Sequence, residues 1–310
     1  MSDFKPFERL CLIGIGLIAS SIARAVRERG LAREIVCATP DSTHRDAALE
    51  MGLVDKAFAA NAEAVEGADL VILCTPPGAM GQVAEEIGPA LMDGAILSDV
   101  GSVKQKVVEA VTPHLPAHAH FVPAHPVAGT ENSGPAAGFA SLFANRWLII
   151  TPNGHCDEAS VARVRQFWEA MGADVEIMDA QHHDQVLAIT SHIPHLIAYN
   201  IVGTADDLEA VTKSEVIKFS AAGFRDFTRI AASDPTMWRD VFLNNKDAVL
   251  EMLGRFSEDL TALQRAIRWG DGDALFKLFS RTREIRRAII DAGQESDAPN
   301  FGRDAPPREK

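Results

Sequence analysis

The chain has 310 residues, enough for a full core and for two domains, and its 47% apolar and 24% charged residues are ordinary for a globular protein. A formal net charge of −13 argues against nucleic acid or an anionic membrane as the main partner, while leaving room for a local cationic pocket that takes an acidic substrate. The four cysteines form no CxxC pair and are expected as buried thiols in a reducing compartment; with no apolar signal core and no membrane-length apolar run, the expected location is cytoplasmic.

Residues 9 to about 178 alternate short apolar runs with helical stretches. "RLCLIGIG" reads as a buried strand, and "LIASSIARAVRERG" as an amphipathic helix closed by Gly30. "EIVCAT" is the next strand, with a helix over 43–51. "ADLVILCTPP", "GAILSDVGS", "RWLIITP" and "ADVEIM" are further strands, the last two separated by the helix "EASVARVRQFWEAMG". This order predicts an α/β, doubly wound parallel sheet. From 179 no convincing strand follows, and helical periodicity runs through 181–204, 208–222, 235–254, 255–269 and 272–291. The expected organisation is a dinucleotide-binding domain over 1–178, an all-α domain over 179–292 and a disordered tail over 293–310, where "SDAPNFGRDAPPREK" is polar and proline-bearing.

"GIGLIAS" follows the first strand and opens a helix, the context a dinucleotide fingerprint requires. Gly14 permits the tight turn, Gly16 lets a pyrophosphate approach, and the amides of Leu17 and Ile18 at the helix start are free to hold phosphates; Ala19 replaces the third glycine. The bland alternative is a tight turn without a ligand. At the end of the second strand, Thr39 stands where an acid would hold the ribose diol of NAD. Asp41 would repel a 2′-phosphate if it faces inward, whereas His44 and Arg45 could attract one. NAD is the expected cofactor, with NADP the alternative. Thr75 and Pro76 in "CTPP" form either a stiff wall for a nicotinamide or an ordinary strand-ending turn.

Ser102 in "SDVGSVK" is a pocket residue or a helix N-cap. His125 in "HFVPAHPVAGTENSG" lies between Pro123 and Pro126, and is expected where a strand ends and a loop begins, as a base or as a loop histidine. Ser191 and His195 in "TSHIPHLIAYN" share a helical face bent at Pro194, and line a pocket or form a satisfied core pair. His192 and His195 lack a third partner at ligand spacing, so no metal is expected. Arg225 and Arg229 in "GFRDFTRIAASDPTMWRD" lie on one face with Phe224, Phe227 and Ile230. They read as a desolvated carboxylate clamp, or as arginines paired with Asp226 or Glu215.

Taken in order, "GIGLIASSIA", "SDVGSVK", "HPVAGTENSG", "SHIPH" and "FRDFTRIAASDPTMWRD" resemble the successive motifs of the prephenate/arogenate dehydrogenase family of tyrosine biosynthesis, over roughly residues 9–290. Ala19 and Thr39 are the departures, and bear on cofactor choice. The resemblance implies oxidative decarboxylation of prephenate to 4-hydroxyphenylpyruvate, or of arogenate to tyrosine. It implies His125 as the base for the 4-hydroxyl, with Ser102 bonding that hydroxyl or orienting His125. It implies Arg229 against the ring carboxylate, Ser191 and His195 lining the pocket with Thr130, and Glu131 and Asp226 orienting or gating. It also implies a homodimer through the C-terminal helices, with Trp238 as a wall lent by a second subunit. Two alternatives remain: another dehydrogenase of the β-hydroxyacid or imine type, for which Lys213 or Lys218 would be the catalytic lysine, and a redox-sensing NAD-binding regulator.

Overall fold

The computed structural model describes residues 4–207 and 220–291. Most of the helical stretch 208–222, with Lys213, Glu215 and Lys218, and the tail over 293–310 lie outside the described residues.

Apolar runs without polar alternation make strands buried on both faces, which a parallel sheet covered by helices requires. The strands β1 (Phe7–Ile13), β2 (Ala32–Ala38), β3 (Lys56–Phe58), β4 (Leu70–Leu73), β5 (Ile96–Asp99) and β6 (His120–Val122) form one six-stranded sheet in the order β3-β2-β1-β4-β5-β6. Every pairing in it is parallel. The helices α1 (Leu17–Arg29), α2 (Ser42–Glu50), α3 (Asn61–Val65), α4 (Met80–Ile87) and α5 (Gln105–Val111) supply the crossovers. The strand order reverses between β1 and β4, so the loops leaving their carboxyl ends open a crevice there.

The expected doubly wound sheet is present, but "RWLIITP" and "ADVEIM" do not extend it. They become β8 (Trp147–Ile150) and β9 (Asp174–Ile177) of a separate three-stranded sheet, in which β7 (Ala124–Pro126) pairs antiparallel with β8 and β9 pairs parallel with it. His125 is therefore inside a strand, opposite Ile149, and not at a strand-to-loop boundary. The flanking prolines are tolerated because β7 is an edge strand. Thr151 donates its amide to the Pro123 carbonyl and Val127 donates to Trp147, so the odd-numbered residues face β8. The missing amide of Pro126 then falls on the open side, where no ladder bond is lost.

The helix α6 (Glu158–Ala170) starts on Asp157, whose carboxylate accepts the Ser160 amide at 2.7 Å. It brings Phe167 and Trp168 into the apolar cluster on one face of the sheet. The α7 helix (Ala180–Leu187) continues through a π-type turn, Ala188–His192, into α8 (Ile193–Asp207). Pro194 has no amide to donate back into the preceding turn, and the widened turn falls immediately before it. After α9 (Ala222–Thr228) and a tight turn over Arg229–Ala232, Pro235 opens α10 (Pro235–Asn244), capped by Asp234 on the Met237 amide at 2.9 Å. Trp238 and Val241 of α10 join Ile13 and Leu73 in the cluster on the other face of the sheet.

The chain thus divides into two compact units, one through Lys246 and one from Asp247. The second contains the long helices α11 (Lys246–Trp269) and α12 (Gly272–Asp291), on which Leu260, Ile267, Trp269, Phe276 and Phe279 are each more than half exposed. The 28-residue span Ala180–Asp207 has the length and mean hydropathy of a membrane helix, which corrects the expectation that no run approaches one. It carries buried His183, Asp184 and His192 inward, as a core helix does, and these side chains build the site described below.

Gly14 has φ +93°, and a Cβ there would stand 2.9 Å from the Cys74 carbonyl oxygen at the end of β4. Gly14→Ala is expected to lower the unfolding free energy by about 1–3 kcal/mol, the usual cost of a side chain forced into that region. Urea unfolding measures this, and a wild-type midpoint would contradict it.

Candidate active site

The crevice at the carboxyl edge is lined first by the turn after β1. Gly16 is the extended residue before α1, has no side-chain cap, and has open space where a Cβ would stand, with nothing within 4 Å. The first amides of α1, those of Leu17 and Ile18, have no partner within the helix, while the Ser20 amide already bonds the Gly16 carbonyl. Across the crevice Thr75 follows β4 with its buried Oγ1 unpartnered, and Pro76 and Pro77 stiffen the turn. An open cradle with free amides at a helix start, at the carboxyl edge of a parallel sheet, suits a dinucleotide, so these residues fit the cofactor. At the end of β2, Thr39 is buried, and its carbonyl accepts from Arg45 Nη1 at 2.6 Å. The Asp41 carboxylate caps α2, accepting the amides of Thr43 (2.8 Å) and His44 (3.3 Å).

Beyond β5 and β6 lies a buried polar cluster. His125 is 6% exposed, and its Nδ1 lies 2.8 Å from His183 Nε2. His183 Nδ1 lies 2.9 Å from Asp184 Oδ1, and Asp184 also accepts the amides of Lys104 (2.8 Å) and Gln105 (3.0 Å). Lys104, fully buried, forms an ion pair with Asp99 and donates to the Ala124 carbonyl at 2.7 Å. Asp99 in turn accepts the Gly101 amide at 2.8 Å and the Ala124 amide at 3.2 Å. Ser102 lies in this turn, and it is not an N-cap, since α5 begins at Gln105 after Lys104.

The α7–α8 helix carries the other side of the site. Asn245 donates to the Asp184 carbonyl at 2.8 Å and reaches His192 Nδ1 at 3.1 Å. His195 Nδ1 donates to the Ser191 carbonyl at 2.9 Å, and its ring stacks on Trp238 with centroids 3.5 Å apart. Trp238 thus lies against His195 of its own chain. Arg229 pairs with Glu131 at 2.6 Å, and both side chains are about one-third exposed, at 34% and 29%. Among the described residues the Arg229 partner is Glu131 and not Asp226, the expected Glu215 pairing lies outside the described residues, and Arg225 and Phe227 are exposed, so the arginines do not form a fully desolvated clamp. Asp226 is exposed on α9, and Thr130 is half-buried, with its Oγ1 accepting the Asn132 amide at 3.3 Å.

The electrostatics favour neutral imidazoles. Burial lowers the His125 pKa well below its ordinary value, and His183, Lys104 and His192 add to the effect. Burial likewise lowers His183, against the opposing carboxylate of Asp184. His192 is lowered to about 4 by burial, partly countered by Asp184. His195 is lowered to about 4 by burial, partly countered by the Ser191 carbonyl and reinforced by the charge of Arg229. Burial pushes Asp184 up, but the bonds from His183 and the two amides outweigh it and the net shift is downward. Burial lowers Lys104, with Asp99 opposing.

His183, Asp184, Lys104 and Asp99 were not among the residues expected from sequence. Their signal was present: "QHHDQVLA" sets His183 and Asp184 in helical register with buried Leu187 and Ala188, a polar pair on a core face. Among the described residues, no group of three or more His, Cys, Asp or Glu side chains gathers as a metal site.

The chain is similar to known proteins over most of its length. The family model for the prephenate dehydrogenase nucleotide-binding domain matches residues 22–177, and that for the prephenate dehydrogenase dimerization domain matches residues 179–281. A cyclohexadienyl dehydrogenase of Zymomonas mobilis is 41% identical over 285 residues, covering 91% of this chain and 96% of that protein. Among solved structures, prephenate dehydrogenase from Aquifex aeolicus in complex with hydroxyphenyl propionate and NAD+ is 30% identical with a TM-score of 0.84, covering 91% of this chain and 98% of that one. Synechocystis arogenate dehydrogenase is 26% identical with a TM-score of 0.73, covering 91% and 99%.

The lowered imidazole pKa values make stability depend on acid. A histidine kept neutral in the fold binds its proton more readily when unfolded, so its stabilisation is complete above the unfolded pKa of about 6.5 and declines as pH falls toward the folded value. Each of the buried His125, His183 and His192 is expected to cost about 1.4 kcal/mol per pH unit through that window. Urea unfolding at pH 8, 6 and 5 checks this, and a stability unchanged from pH 8 to 5 would contradict it.

Proposed function

The chain belongs to the prephenate dehydrogenase family, and on that premise we propose that it oxidises and decarboxylates prephenate, arogenate or both, with hydride passing to NAD. The observation that carries the reading is His125, a buried imidazole held neutral beyond the carboxyl edge of the sheet, while the Arg229 cation acts on His195. NAD supplies the hydride acceptor when bound. That a relative of the same fold binds NAD+ together with hydroxyphenyl propionate supports both the cofactor and a ring-shaped, carboxylate-bearing ligand.

In this reading His125 takes the proton of the 4-hydroxyl as hydride leaves C4, because electron density pushed from that oxygen makes hydride departure favourable. The ring carboxylate departs as CO₂, and its bonding electrons complete the aromatic ring. The phenolate oxygen then recovers the proton, which returns His125 to its neutral form. Arg229 receives the ring carboxylate, with Glu131 as the partner it exchanges for substrate. Ser102 bonds the hydroxyl or orients His125. Ser191, His195 and Trp238 line the pocket, with Thr130 and Asp226 at its mouth. Gly14, Gly16, Leu17, Ile18, Thr39, Thr75 and Pro76 hold the dinucleotide. Asp41 is engaged as the cap of α2.

The exposed apolar side chains of α11 and α12 support a homodimer through the C-terminal helices, and the matched dimerization domain supports an assembly of that kind. The net charge of −13 disfavours nucleic acid or an anionic membrane as the partner and leaves room for a local cationic pocket that takes a small acidic substrate.

Mixing the protein with NAD and prephenate, and separately with arogenate, should raise the reduced-cofactor absorbance with stoichiometric CO₂; no turnover of either would refute the proposal. His125→Asn should leave NAD affinity unchanged and lower kcat by roughly 10²–10⁴-fold, the span for losing a general base. Arg229→Ala should raise KM steeply, and an unchanged KM would contradict the clamp.

A further inference from the structure

We propose that His183 and Asp184 are positioning residues for the base: they hold His125 with its proton on Nδ1 and the Nε2 lone pair free, and they stabilise the charge when Nε2 takes a proton. The inference rests on the reading of His125 as the base.

The tautomers follow from one end of the chain of bonds. Asp184 is fixed by two main-chain amides, those of Lys104 and Gln105, at 2.8 and 3.0 Å, which orient it as an ionised acceptor. A carboxylate accepts and does not donate, so at 2.9 Å His183 must carry its proton on Nδ1. A neutral imidazole has a single N–H, which leaves His183 Nε2 bare. The atom 2.8 Å from it, His125 Nδ1, is then the donor, and the lone pair of His125 is on Nε2. The opposite assignment would set lone pairs against each other, or against the carboxylate, among side chains with almost no solvent exposure.

Charge points the same way. His125 is faced by His183, Lys104 and His192, and of these Lys104 opposes a second positive charge. His192 accepts from Asn245 on Nδ1 and stays neutral. Asp99 answers Lys104, and Asp184 remains as the anion that can balance an imidazolium. In the step, the substrate O–H bond breaks and an N–H bond forms at His125 Nε2. The Nδ1 proton remains in its bond to His183, and Asp184 stays ionised.

Asp184→Asn and His183→Leu should lower kcat by about 10²–10⁴-fold, the range for an imidazole base that loses the group fixing its tautomer, while changing KM and NAD affinity by less than about twofold. His183→Gln keeps an acceptor at the same reach and should recover part of the loss. Asp184→Asn should also move the acid limb of kcat/KM to lower pH. In a His125→Asn background neither substitution should reduce kcat further, because both act through the missing ring. Unchanged kcat in the single variants, or a further loss in that background, would overturn the inference. A fully active His125→Asn would instead remove the base assignment it rests on. If the variants do not fold, ¹⁵N imidazole spectra of the wild-type protein at pH 8, assigned against His125→Asn, should show His125 protonated at Nδ1 and bare at Nε2. The reverse tautomer would overturn it.

Discussion

Lys104 has no exposed surface, and its charge is answered by Asp99 and the Ala124 carbonyl. That buried pair joins three pieces that come from different parts of the chain: the end of β5, the turn that carries Ser102, and the edge strand that carries His125. Asp99 bonds both the Gly101 and the Ala124 amides, so neither loop can shift without leaving a buried charge unpaired. Removing one partner of such a pair costs about 3–5 kcal/mol, more than the flexibility of a short loop could offset. The second sheet is thereby pinned against the first, and His125 is held one residue away from the tie.

The electrostatic character of the pocket follows from this arrangement. Burial makes each nearby imidazole reluctant to take a proton, with the Lys104 charge adding to it at His125 and His183 and the Arg229 charge at His195, so His125, His183, His192 and His195 rest neutral near pH 7. A neutral ring is what proton abstraction requires, and a resting pKa far below neutrality would make it a poor base unless the charge that forms were matched. Asp184 supplies that match from the far side of His183. Arg229, about one-third exposed, has its charge compensated by Glu131, and the proposed clamp exchanges that partner for a substrate carboxylate.

Much of this was legible in the sequence. The first strand, the glycine turn and α1 follow from periodicity and from Gly14, Gly16 and Gly30, and the change to helices after 178 is visible in the loss of β-like runs. His125, Arg229 and the Ser191–His195 pair stand out because polar residues interrupt apolar stretches. What was not legible is pairing. β3 and β7 are each three residues long, too short for a periodicity to register, and nothing local to β8 or β9 says which sheet they join. The Arg229 partner, Glu131, is 98 residues distant, and Lys104 reaches Asp184 across 80. Helical register sets His183 and Asp184 on a core face, but their chemistry depends on what the fold sets opposite them.

The account turns on one distance. A structure of the protein with NAD and a 4-hydroxyphenyl ligand should place the ligand hydroxyl about 2.6–3.2 Å from His125 Nε2, with C4 facing the nicotinamide. A hydroxyl lying against another group, or facing His125 from beyond hydrogen-bond reach with no bridging water, would contradict it.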